Sequence, residues 1–126
     1  MASELKLEGI NLDDTTVDHP ATLINIFKVP VDESGPFLER WNDNARIMAQ
    51  QAGFIRARMF RSLDDDVELR FINVAEWKSG NALDTARANL EWRASVKRVL
   101  EDPDLHIHAR PVVYGTDLDV RPGDTL

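Results

Sequence analysis

Asn25 and Asn73 are the residues whose placement first asks for chemistry. Each stands in the middle of an apolar stretch, Ala-Thr-Leu-Ile-Asn-Ile-Phe-Lys-Val over 21–29 and Glu-Leu-Arg-Phe-Ile-Asn-Val-Ala-Glu-Trp over 68–77. Read as strands, these put Asn25 on one face with Leu23, Phe27 and Val29, and Asn73 on one face with Leu69, Phe71, Ala75 and Trp77. A buried amide without a partner costs about 1–3 kcal/mol. The two asparagines therefore either bond each other or a trapped water, or they aim amide donors into a cavity with Trp77 as an aromatic wall. A cavity of that kind suits a flat, mostly apolar ligand carrying carbonyl or phenolic oxygens. Amide donors also stabilise an enolate-like oxyanion. Phe27, Phe37, Trp41, Met48 and Phe71 are the apolar residues placed to line such a pocket or fill the core beside it.

Two other groups have the residue types for chemistry. His106 and His108, two apart, would share a strand face with Arg110. That spacing can hold zinc or iron, but no third ligand accompanies it, so no metal is expected. The pair reads as polar edge residues, or as pocket histidines able to accept a substrate proton. Arg56 and Arg58 share a face and would pair with an acidic arm or a partner subunit, or steer an anionic ligand.

The elements that must position these residues follow from periodicity. A strand at 21–29 stops at Pro30, and Asp32, Glu33, Ser34 and Pro36 suit a first helical turn. Phe37, Trp41, Ala45 and Met48 recur at helical spacing up to Gly53. A strand at 54–61, an acidic turn at Asp64-Asp65-Asp66 and a strand at 68–77 follow. A second helix over 80–100 buries Leu83, Ala86, Leu90, Val96 and Val99, and a strand at 105–114 is bent or edge-located at Pro111. The order β-α-β-β-α-β predicts an α+β, ferredoxin-like fold with an antiparallel sheet. A weak internal echo, Leu-Ile-Asn-Ile-Phe at 23–27 against Phe-Ile-Asn-Val-Ala at 71–75, fits two pseudo-repeats. Both faces of both central strands are largely apolar, so the face away from the helices needs a cover, most simply a second subunit.

Composition narrows the class. The chain has 126 residues, 15 basic and 22 acidic, a net charge of −7 and no cysteine. The length suits one domain, and the absence of cysteine removes disulfides, thiolate metal sites and a cysteine nucleophile. Acidity argues against nucleic acid, and no apolar run reaches the roughly 20 residues of a membrane helix. With no signal-like N-terminus, a cytoplasmic location is expected. The charge sits at the ends: −4 over 1–20 and −2 over 116–126, against −1 for the remainder. The expected organisation is a polar arm at 1–20, a folded body at 21–115 and an acidic tail at 116–126.

Leu-Ile-Asn-Ile-Phe, Phe-Leu-Glu-Arg-Trp at 37–41, Gln-Ala-Gly-Phe-Ile at 51–55 and Phe-Ile-Asn-Val-Ala-Glu-Trp at 71–77 together resemble the antibiotic biosynthesis monooxygenase family. The similarity spans about 20–115 and is greatest to the cofactor-independent anthrone oxygenases of aromatic polyketide pathways. It implies a ferredoxin-like fold, a homodimer of the dimeric α+β barrel type, no cofactor, and an aromatic polyketide and O₂ as substrates. It also implies that Asn25, Asn73 and Trp77 are catalytic. Haem-degrading enzymes of the same fold use a histidine on the second helix, and 78–92 contains none. A polyketide cyclase and a non-catalytic aromatic-ligand-binding protein are the competing readings.

Overall fold

The computed structural model describes residues 19–125, so the expected arm at 1–20 lies almost wholly outside the described residues. Four strands, β1 (Ala21–Lys28), β2 (Phe54–Arg61), β3 (Phe71–Trp77) and β4 (His108–Tyr114), form one antiparallel sheet in the order β2-β3-β1-β4. Helices α1 (Ser34–Ala49), α2 (Gly80–Arg87) and α3 (Leu90–Leu100) connect them. This is the α+β ferredoxin-like arrangement that the order of elements predicts. Each described helix is too short or too polar to cross a membrane.

Alternation along the central strands fixes the two sheet faces. Leu23, Phe27, Phe71, Ala75 and Trp77 are buried beneath the helices. Helix α1 closes over them with Phe37, Trp41, Asn44 and Met48, a 3-4 spacing that keeps one stripe inward. It starts after a single 3-10 turn at Val31–Glu33, with the Ser34 hydroxyl donating to the Val31 carbonyl at 2.9 Å. Pro36 falls in the first turn, where a missing N–H removes no helical bond.

Three boundaries differ from the sequence reading. The stretch 80–100 is two helices, because Asn89 leaves helical geometry (ψ 129°) and its side chain accepts from Trp92 N–H at 3.0 Å, opening α3. The break turns Leu90 outward, 80% exposed rather than buried. Strand β3 starts at Phe71, not 68, because the Arg70 N–H turns back to the Glu68 carbonyl at 3.0 Å. Leu69 is accordingly exposed rather than on the inner face. Strand β4 begins at His108, since β1 ends at Lys28, its register partner. Leu105 and Ile107, ahead of it, are still buried. Pro111 does lie on an edge strand, opposite Asn25.

The chain between α1 and β2 turns on Gly53, at φ +85°. A Cβ there would stand 2.5 Å from the Ala82 Cβ of α2, while the Gly53 carbonyl accepts from Lys78 N–H at 2.8 Å. The left-handed backbone alone disfavours a side chain by about 1–2 kcal/mol. The Gly53→Ala variant is expected to lose about 2 kcal/mol or more in urea unfolding; a loss below 0.5 kcal/mol would contradict the close approach.

Candidate functional site

The register of the two central strands decides the site. Asn25 stands directly opposite Asn73, with Leu23 against Ala75, Phe27 against Phe71 and Ala21 against Trp77. Both asparagines therefore face the helices from the middle of the sheet. They do not bond each other. Asn25 Oδ1, Asn73 Nδ2 and Trp77 Nε1 are all buried and, among the described residues, lack a hydrogen-bond partner. Where the sequence suggested two amide donors, the structure leaves an acceptor free on Asn25 and a donor free on Asn73.

A cleft of about 370 Å³ opens between the sheet and the helices, with Asn25 in its lining. Leu23 and Pro111 complete the sheet side; Trp41 and Met48 come from α1, and Trp92 and Val96 from α3. Its volume falls in the range of small-molecule pockets. Exposed Arg87, Arg93, Lys97 and Glu101 line its solvent edge. Asn73 and Trp77, 2% and 0% exposed, are buried on the neighbouring strand β3 and are not part of that lining. Trp77 packs on Trp92 at 5.8 Å between centroids and edge-on to Phe54 at 5.4 Å. Behind the walls Asn44 Nδ2 donates to Ser95 Oγ at 2.8 Å, and the Ser95 hydroxyl donates to the Trp92 carbonyl at 2.7 Å. This buried chain ties α1 to α3 and holds the backbone that carries Trp92.

The remaining expected residues are dispersed. Phe27, Phe37 and Phe71 do not line the cleft. They are fully buried and pack together, Phe27 at 4.9 Å from both Phe37 and Trp41 and Phe37 at 5.0 Å from Phe71. His106 and His108 are not in the cleft lining. His108 pairs with Lys28 at the strand end, on the sheet face away from the helices, and His106 lies in the loop before it. Among the described residues no group of three His, Cys, Asp or Glu could hold a metal. Arg56 pairs with Glu76 at 3.3 Å across strands, and Arg58 lies over the Phe60 ring at 5.1 Å; both are on the open sheet face. The sequence reading missed Trp92, Arg87, Arg93 and Lys97 as cleft residues. The usable signal was Asn89 as a cap, which reorients everything after it.

His106 instead clamps the start of α1. Its backbone N–H donates to Glu33 Oε1 and its Nδ1 lies against Glu33 Oε2, both at 2.6 Å. The hydrogen bond to Glu33, then its charge, raises the imidazole above its ordinary range. The backbone N–H of His106, then its ring, holds Glu33 below the carboxylate range. The raised imidazole contributes stability below its ordinary value near 6.5 and loses it as pH climbs through the raised one. The lowered carboxylate contributes above its ordinary range and loses it as pH falls through the lowered value. The clamp is therefore strongest between the two ordinary values. In an NMR titration Glu33→Gln is expected to drop the His106 midpoint towards about 6.5; an unchanged midpoint would contradict the pairing.

An antiparallel four-stranded sheet with a helix-covered cleft, floored by an amide and walled by tryptophans, defines a ferredoxin-like domain with a cleft of small-molecule size. The chain belongs to the antibiotic biosynthesis monooxygenase family, whose sequence profile matches residues 20–98. Among curated proteins none matches it in sequence. It is 31% identical to a candidate monooxygenase of Shewanella loihica PV-4, over 80% of this chain and 97% of that one, with a TM-score of 0.63. SnoaB of Streptomyces nogalater, a cofactor-independent oxygenase, superposes with a TM-score of 0.68 at 21% identity, over 82% of this chain and 98% of that one. A Caulobacter crescentus CB15 protein, assigned without proof to antibiotic biosynthesis monooxygenases, superposes equally well at 14% identity, over 86% and 99%. At 21% and 14% identity the likeness is one of fold.

Proposed function

We propose that this protein is a cofactor-independent monooxygenase that oxidises an anthrone-type aromatic polyketide to a quinone with O₂. The observation that supports this best is Asn25 in the lining of an aromatic-walled cleft and Asn73 in matched register beside it, with Asn25 Oδ1 and Asn73 Nδ2 buried and without a partner among the described residues. The name of SnoaB, a cofactor-independent oxygenase of the same fold, points the same way.

The chemistry needs no redox group beyond substrate and O₂. The anthrone loses a proton from its methylene carbon, leaving a delocalised enolate. The enolate gives one electron to O₂, and the radical pair combines into a carbon-bound peroxide that takes up a proton. Loss of water then yields the quinone, one O₂ oxygen remaining in the product and the other leaving as water. The protein's share is orientation, exclusion of bulk water and stabilisation of the oxyanion. Asn73 Nδ2 and Trp77 Nε1 are the free donors for the enolate or peroxide oxygen, and Asn25 Oδ1 is the free acceptor for a phenolic hydroxyl.

With flavin-free, chelator-treated protein, an anthrone should consume O₂ and yield quinone one for one. Asn73→Ala should lower kcat by roughly 10²-fold, the usual loss on removing an oxyanion donor; Asn25→Ala, which removes the acceptor for the phenolic hydroxyl, should weaken substrate positioning and lower kcat/KM. Trp77→Phe, which keeps an aromatic ring, though a smaller one, and removes the N–H, should lower kcat in the same direction. Unchanged turnover in all three would overturn the site. Ring closure without O₂ uptake would indicate a cyclase, and binding without turnover a carrier; either would overturn the oxygenase reading.

We also assign a homodimer to the open sheet face, with 21–115 as the folded body. Thr22, Ile24, Ile26, Ile72, Val74 and Phe60 line that face by register, and Ile72, Phe60 and Tyr114 are exposed. Apolar area of this kind is unfavourable in water and favours self-association. Sedimentation should give a dimer for the parent chain and a monomer for Ile72→Glu; a monomeric parent chain would contradict the assignment.

A further inference from the structure

Where β1 ends and β3 begins lies a second cavity, of about 250 Å³, that shares no lining residue with the cleft. Its walls are the chain just after β1, at Val29, Pro30 and Val31, and the loop between β2 and β3, from Asp65 to Glu68. The Ser62 N–H donates to the Arg70 carbonyl at 2.7 Å and closes that loop at its base. Arg70 lines the cavity and is only 4% exposed. Its Nε is buried without a hydrogen-bond partner among the described residues. The terminal nitrogens reach only Asp65, its carbonyl and its carboxylate each at 3.4 Å. Well-made charge-assisted pairs close to about 2.7–2.9 Å. The Asp65 side chain is itself 83% exposed, so water competes for it. A guanidinium withdrawn from water and so loosely paired is costly, and an anion that reached it would offset that cost.

The other charges on the lining decide which anion. His106 is committed to Glu33. Lys28 meets Glu68 at 3.8 Å, and the exposed carboxylates of Asp65, Asp66 and Glu68 outnumber that single exposed lysine. Such a rim repels a dianion such as phosphate and attracts a positive group. We infer that this cavity binds a small free amino acid, its carboxylate turned inward to Arg70 and its ammonium held at the rim by Asp66 and Glu68. The ligand carboxylate takes the place of Asp65 on the guanidinium, whose Nε and adjacent terminal nitrogen offer two parallel donors. Val29, Val31 and Val67 leave apolar surface for a short aliphatic side chain. The volume lies below the roughly 300 Å³ at which drug-sized pockets begin, the scale of a single small metabolite. This site is independent of the cleft and of the oxygen chemistry proposed there.

The test is an NMR titration of the isotope-labelled protein with four probes. These are L-valine, isovalerate, which lacks the ammonium, L-valinamide, which lacks the carboxylate, and inorganic phosphate. L-Valine should shift the amides of Val29, Val31, Asp66, Val67 and Arg70 to saturation and leave those of Asn25 and Trp92 in place. It should bind about tenfold or more tighter than L-valinamide, the loss expected on removing a buried charge-assisted bond. Over isovalerate the advantage should be about two- to fivefold, the scale of an exposed ion pair. Phosphate should give no saturable shift. Arg70→Gln should abolish valine binding. Because Arg70 also holds the loop, the double variant Asp66→Asn, Glu68→Gln gives an independent check at two exposed positions. It should bring the valine-to-isovalerate ratio to about one, with isovalerate still bound. Absence of a saturable shift with L-valine, or shifts confined to the cleft, would overturn the inference. So would phosphate or isovalerate binding as tightly as L-valine, valine binding retained in Arg70→Gln, or a ratio unmoved by the double variant.

Discussion

The pairing of Asn25 with Asn73 across the two central strands is the constraint on which the rest of the molecule depends. A one-residue slip of β3 against β1 would turn Asn73 to the open face and take Phe71, Ala75 and Trp77 out of the core with it. In the register observed, the large Trp77 meets the small Ala21, and Phe71 meets Phe27. The amides sit between these two packed ends, at positions where an amide left without any partner would cost about 1–3 kcal/mol and an aliphatic side chain would not.

The helices complete this arrangement from above. At one end Phe27, Phe37, Trp41 and Phe71 form a tilted aromatic cluster, and at the other Phe54, Trp77 and Trp92 form a second. The cleft lies where Trp41 of the first and Trp92 of the second face the sheet. The distance between these walls is set by packing of α1 on α3 and by the Asn44–Ser95 bond behind them. Asn89 then sets the direction of α3, and with it both Trp92 and the cationic edge. Stability, cleft width and edge charge thus rest on different residues.

Much of the fold was legible in the sequence because short β-branched and aromatic runs bounded by Pro30, Gly53 and the acidic 64–66 turn alternate with stretches of helical spacing. Strand β2 matches at both ends for that reason, and the opposition of Asn25 and Asn73 followed from their equivalent places in two similar strands. The helix break left a trace in the periodicity that a single-helix reading passed over: Leu83, Ala86 and Leu90 share one face of a continuous helix, whereas Val96, six residues past Leu90, would lie about 120° away. A capping asparagine is a local signal that periodicity averages away. Phe27, Phe37 and Phe71 could not be told from pocket residues by type, because core and ligand wall have the same chemistry. His106 was read as a strand residue, whereas its partner Glu33 is 73 positions away and only the fold brings them together. The net charge of −7 likewise hid a cleft edge of opposite sign.

The central claim is that the cleft ends at amides left free for a ligand's oxygens. A crystal structure of the protein with a bound anthraquinone tests it most directly. The account predicts the ring among Trp41, Met48 and Trp92, with a quinone or phenolic oxygen within hydrogen-bond distance of Asn25 or Asn73. A ligand seated elsewhere, with Asn25 and Asn73 satisfied by ordered water in an unoccupied cleft, would contradict it.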